Sequence, residues 1–130
     1  MKLKTRHLRF LFCLLVAGGC QDSGWYDISG AATLDGQPIP LGTIAFEPDS
    51  SKGNSGPGTM AKIEDGRYRN DPGEGLVGGH YILKVYGYDG KNWSANRPQG
   101  EPLFPPGYRS EAEFGPETST FDVNVPPDQR

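Results

Sequence analysis

Between Ile28 and Glu47 the chain reads ISGAATLDGQPIPLGTIAFE: an alternating run, a turn dipeptide and a second apolar run. Ile28, Gly30, Ala32 and Leu34 share one parity, so an extended backbone puts them on one face. Asp35-Gly36 then interrupts the run with a dipeptide that accepts positive φ in a tight turn. Pro38 and Pro40 hold the return extended, and Thr43–Phe46 resumes with β-branched and aromatic residues. The pattern predicts a first hairpin whose two strands cover a shared core. A chain that opens in this way is committed to sheet.

The same grammar recurs downstream. Thr59–Glu64, Asp65-Gly66 and Arg67–Asn70 predict a second hairpin. In His80–Tyr88, Tyr81, Leu83 and Val85 point one way and Ile82, Lys84, Tyr86 and Tyr88 the other, as expected of a central strand. Phe121, Val123 and Val125 share a face in a closing strand over Thr120–Val125, ended by Pro126-Pro127. Asp49–Gly58 and Asp71–Gly79 read as loops. Asp89–Pro106 carries Pro98, Pro102, Pro105 and Pro106, which disfavour a helix. Ser110–Thr118 is too short and interrupted to assign. With no amphipathic helix of ordinary length, the chain reads as an all-β antiparallel sandwich.

The first 19 residues read as an address. Lys2, Lys4, Arg6 and Arg9 precede an apolar run, Phe10–Ala17, and small residues lead to Cys20. The run is shorter than the ~20 residues that span a bilayer. V-A-G-G-C resembles the bacterial lipobox, which implies a signal peptide over 1–19 and a lipidated Cys20 as the mature N-terminus. Gln21 after Cys20 implies, by resemblance to enterobacterial sorting, an outer-membrane protein facing the periplasm or exterior. Residues 20–27 form the lipidated cysteine and tether, with Trp25 and Tyr26 placed to lie against the domain or the headgroups. Residues 28–126 form the domain and 127–130 a tail.

Processing changes the charge. Thirteen Lys and Arg face 16 Asp and Glu, and loss of the four signal cations leaves nine against 16, a net charge of −7. That balance disfavours nucleic acid and electrostatic docking on anionic lipid, leaving acylated Cys20 as the membrane attachment. With Cys13 removed and Cys20 acylated, no thiol is left for a disulfide, metal or nucleophile.

Catalytic chemistry finds little to use. His80 is the histidine of the mature chain, read as a solvent-facing residue at a strand entrance. No serine lies in a nucleophile elbow. Asp35, Asp65 and Asp89 each precede glycine, which is turn chemistry rather than calcium-loop spacing. The acidic pairs Glu111/Glu113 and Glu64/Asp65 imply no pocket. Gly73–Gly79 precedes a strand, whereas a phosphate-cradling loop opens a helix. The expectation is a protein that is not an enzyme, without catalytic residues, metal or cofactor.

The stretch from Ile28 to Pro48, together with KIEDGRYR (Lys62–Arg69) and GGHYILKV (Gly78–Val85), resembles carboxypeptidase-regulatory-like domains. PLFPPGY (Pro102–Tyr108) and STFDVNV (Ser119–Val125) resemble the tail of small bacterial lipoproteins carrying that domain. The resemblance covers most of 28–126 and implies a transthyretin-like, seven-strand, antiparallel Greek-key β-sandwich that accompanies enzymes without catalytic residues of its own. The related Cna-B-like adhesin sandwiches carry a Lys–Asn crosslink. Asn124 is on the closing strand, but Ile28–Leu34 and Thr43–Glu47 carry no lysine, so none is expected.

The functional expectation is a non-catalytic, lipid-anchored envelope module with a structural or binding role, its partner an envelope protein or a glycan. The alternative is a carbohydrate-binding lipoprotein. Tyr86 and Tyr88 face away from the core, and Trp93 follows between Asn92 and Asn96; aromatic faces flanked by amides suit sugar rings or a protein interface. The plainer and preferred reading folds the Pro-rich segment back, so that Trp93 covers the outside of the sheet.

Overall fold

The computed structural model describes residues 24–129; the signal segment, Cys20 and the start of the tether lie outside the described residues. The fold is all-β. Its strands are β1 (Ser29–Leu34), β2 (Gln37–Pro38), β3 (Leu41–Pro48), β4 (Thr59–Glu64), β5 (Arg67–Asn70), β6 (Gly79–Tyr88), β7 (Tyr108–Phe114) and β8 (Val123–Val125). Two 3-10 turns, Ser50–Lys52 and Pro127–Gln129, complete the regular structure among the described residues. The sheet runs β2-β1-β5-β4-β3-β6-β7 with antiparallel neighbours, and β8 joins β1 in parallel.

One face of the curled sheet is buried. Ala32 and Leu34 of β1, Ile44 and Phe46 of β3, Tyr68 of β5, Tyr81, Leu83 and Val85 of β6, and Val123 and Val125 of β8 form the core with Ile28. Phe121 packs against it, partly buried. Parity in the sequence therefore marks the inward face of nearly every strand. The opposite face is solvated, so burial alternates along β1, β3, β4 and β6. The turns at Asp35-Gly36 and Asp65-Gly66 use positive φ at both residues, 52° and 75° in the first, 50° and 75° in the second.

Pairing differs from the expected first hairpin. β1 turns into only the two-residue β2, and β3 lies three places away, beyond β5 and β4. Ile39 is the reason. Its side chain is fully buried, and the flanking Pro38 and Pro40 have no N–H with which to continue a ladder. The segment instead crosses to the β4–β5 turn, where Ile39 and Pro40 carbonyls accept from Gly66 N (2.8 Å) and Asp65 N (2.9 Å). The β4–β5 hairpin then takes the place beside β1, with Gly30 opposite Tyr68.

Two further differences have physical causes. Tyr108–Phe114, inside and just before the unassigned stretch, is the edge strand β7, whose inward Ser110 and Ala112 give little apolar signal. The closing strand is shorter than expected because Asp122 Oδ1 accepts from Ala31 N at 2.8 Å, replacing a backbone ladder bond. There the tail laps so closely over β1 that a Cβ on Gly30 would lie 1.8 Å from the Phe121 carbonyl oxygen. Only glycine fits at that crossing.

Loops complete the core. Leu76 and Phe104 are 1% and 2% exposed, and Phe114 lies edge-on to Phe46, Tyr81 and Phe121 with centroids 5.9, 5.7 and 5.1 Å apart.

Candidate functional site

A broad concavity lies on the solvated face of the sheet. It is an open basin of about 770 Å³ across β1, β5, β4 and β3, rimmed by Thr120 and Asp122 of the tail. Register explains its lining. Thr43 stands opposite Lys62, Lys62 opposite Arg69, and Arg69 opposite Ser29, making one row across four strands. The adjacent row pairs Glu64 with Arg67. Neighbouring positions in a row are about 5 Å apart, so the Thr43 and Ser29 hydroxyls flank the facing Lys62 and Arg69 cations, with the Glu64 carboxylate one row over.

Lys62, Arg67 and Arg69 are exposed and form no ion pair among the described residues. Cations elsewhere are engaged: Lys84 with Glu47 (2.8 Å), Lys52 with Glu111 (2.9 Å), and Arg109 with Glu111 (3.4 Å). Three basin cations are matched by the carboxylates of Glu64, Asp71 and Asp122 on the same lining. Tyr68 borders the basin through β5 while its side chain turns into the core. Its hydroxyl donates to the Phe121 carbonyl, and burial first, then the Asp122 carboxylate, raises its pKa far above the ordinary tyrosine value. It stays a neutral donor. The volume is that of a small-ligand pocket, but the walls are polar and open rather than apolar and enclosed.

The residues singled out around Trp93 are divided between two places. Tyr86 and Tyr88 line a shallow notch of about 170 Å³ with Phe104, Pro105 and Pro106. Trp93, Asn92 and Asn96 sit on an irregular hairpin from Asp89 to Glu101. It is closed by Asp89 N to Glu101 O (3.0 Å), Gly90 N to Gln99 O (3.1 Å), and reciprocal 3.0 Å bonds between Ser94 and Arg97. Trp93 is 71% exposed there, so it does not cover the sheet as the plainer reading expected. The later part of the segment does fold back along β6, where Leu103 N donates to the Gly87 carbonyl (2.9 Å) and Phe104 is buried, while the hairpin leaves Trp93 in solvent. Asn96 is exposed, while the Asn92 amide donates to Asp89 Oδ2 at 2.7 Å.

Asp89 organises that hairpin. Its Oδ1 accepts from Lys91 N (3.0 Å), Asn92 N (3.3 Å) and Glu101 N (3.0 Å). The Lys91 amide foremost, then the other donors against a desolvation cost, hold its carboxyl below the ordinary value. Beside it a concavity of about 440 Å³ is lined by Leu34, Pro38, Pro40, Lys91 and Leu103 among others.

The groups weighed for catalysis are placed as follows. His80 Nε2 lies 3.8 Å from Glu113 Oε1 across the β6–β7 ladder. Glu111 is held low in pKa by Lys52, and Asp65 is a turn residue. Asn124 Oδ1 accepts from Thr33 Oγ1 (2.8 Å) and Gly36 N (2.9 Å), fastening the closing strand to the first turn. Among the described residues no group of three or more His, Cys, Asp or Glu is arranged to hold a metal, and no helix is long and apolar enough to cross a membrane.

The basin was not found from sequence. KIEDGRYR shows alternating charges, but only the register with β1 and β3 brings Ser29 and Thr43 to Lys62 and Arg69. No protein-family model, curated protein or solved structure matches the chain.

Proposed function

We propose that this chain is a non-catalytic, lipid-anchored cell-envelope module with a binding role. In this reading it is a carboxypeptidase-regulatory-like, transthyretin-like Greek-key β-sandwich, held to a bacterial membrane, the outer one, through Cys20. The lipobox-like V-A-G-G-C and the ordered motifs of 28–126 support the anchor and the family. The observation that carries the binding role is the basin, where three cations outside any ion pair share one lining with carboxylates and hydroxyls.

Such a surface suits a polyhydroxylated ligand, because every sugar hydroxyl both donates and accepts. Equal numbers of lining cations and carboxylates favour a neutral or zwitterionic envelope glycan over a polyanion. Titration with peptidoglycan fragments and neutral glycans, repeated with Lys62→Ala/Arg69→Ala, tests the site. Binding is expected for the parent and lost in the double variant, whose exposed substitutions leave the fold intact. Unchanged affinity in the variant rejects the basin. For the anchor, Cys20→Ser expressed in a bacterial host should move from the detergent to the aqueous phase.

The second reading places a glycan against Trp93, Asn92 and Asn96, with Tyr86 and Tyr88 nearby along the chain. Its support is the exposure of Trp93 on a hairpin already ordered by Asp89. Loss of binding in Trp93→Ala, with the basin variant unaffected, would select it.

A further inference from the structure

The start of the described chain is clasped to the sheet. Tyr26 and Leu76 exchange two backbone bonds of 2.7 Å, and Leu76 is buried. Asn70, 2% exposed, accepts from Ile28 N at 2.6 Å and donates to the Asp71 carbonyl at 2.8 Å. Asp27 Oδ1 accepts from Gly73 N at 3.0 Å. A Cβ on Gly75 would lie 1.8 Å from the Tyr26 carbonyl oxygen, so the loop backbone sits directly on the tether. Tyr26 is a fixed point.

Six Cα steps separate Cys20 from Tyr26, at most about 22 Å of fully extended chain. Topology decides what that length permits. The start of β1, the end of β5, the start of β4, the end of β3 and the start of β6 lie at one end of the sheet. The Asp89–Glu101 hairpin leaves the other end of β6, whose ten residues Gly79–Tyr88 span roughly 30 Å. A tether shorter than the sheet cannot run back along it to turn the domain over.

Trp25 immediately precedes the clasp and is 43% exposed. An indole, apolar with one N–H donor, favours the headgroup layer of a bilayer. Asp71, Glu74 and Glu117 are exposed on loops at the same end and oppose deeper insertion. Resting on the lipidation of Cys20, we propose that the domain stands on the bilayer by its tether end, with Trp25 in the phospholipid headgroup layer and the Trp93 hairpin carried into the aqueous phase.

The sequence contains two tryptophans, which makes the test direct. Full-length lipidated protein is reconstituted into phosphatidylcholine vesicles, with and without bromine on the acyl carbons nearest the headgroups. Both indoles are exposed, so Trp93→Phe and Trp25→Phe leave the fold intact. Trp93→Phe, reporting Trp25, should lose most of its emission to the brominated lipid; Trp25→Phe, reporting Trp93, should lose none. Vesicle flotation and the mass of the N-terminal peptide are read on the same samples. An acylated, vesicle-bound protein whose Trp25 is unquenched, or whose two tryptophans are quenched alike, overturns the orientation and leaves the anchor standing. A chain without acyl groups on Cys20 overturns the anchor and the orientation with it.

Discussion

The two irregular segments that flank β6 solve one problem in opposite ways. Each must order a glycine- and proline-containing stretch without helix or long strand. Asp71–Gly78 does so chiefly with buried groups: Leu76 enters the core and the adjoining Asn70 amide satisfies the Ile28 N–H away from water, with the exposed Asp27 carboxylate adding one bond from Gly73 N. Asp89–Glu101 does so with one exposed carboxylate that gathers backbone N–H groups. The first segment is thereby tied to the stability of the whole domain. The second is ordered locally, and its order depends on a charge. In the proposed orientation the globally tied end faces the membrane and the locally tied end faces solvent.

The contrast can be broken most forcefully at Leu76. Leu76→Ala should cost about 2–5 kcal/mol of global stability, the same range as Leu83→Ala in the central strand. Chemical denaturation checks both. If Leu76→Ala shifted the midpoint far less than Leu83→Ala, the loop would not belong to the core. Asn70→Ala comes next. It strands the Ile28 N–H in a buried site and should lower stability by about 1–3 kcal/mol. Hydrogen exchange should then quicken at Tyr26 and Leu76 together, because they share one pair of bonds.

Asp89→Ala should affect only its own hairpin. Amide exchange at Asn92 and Glu101 should accelerate while the global denaturation midpoint stays close to that of the parent. A midpoint shift as large as that of Asn70→Ala would erase the distinction between the two segments. The smallest effect is that of pH. The Asp89 carboxyl titrates below its ordinary 3.8 in the folded chain. Its contribution is therefore complete above the unfolded value and is lost as pH falls through the lower, folded one. Amide NMR of residues 89–101 should show the hairpin loosening in that acid window. Tyr26 and Leu76 should not follow Asp89, since no carboxylate makes their bonds.

Much of this architecture could be read along the chain, because parity and turn chemistry are local. Tyr81, Leu83 and Val85 alternate with Ile82, Lys84 and Tyr86 in any extended backbone, and Asp65-Gly66 reverses the chain wherever it is placed. Those facts determined the β4–β5 hairpin, the inward face of β6 and most of the core. They could not determine partners. That β1 pairs with β5 and not β3 follows from the burial of Ile39 between two prolines, a choice made against the rest of the core. The burial of Leu76 and Phe104 in loops, the edge strand with inward Ser110 and Ala112, and the row Thr43–Lys62–Arg69–Ser29 have the same origin. Side-chain direction is set by the residue's own backbone, whereas the neighbour it meets is set by long-range closure. Only the folded sheet decides that.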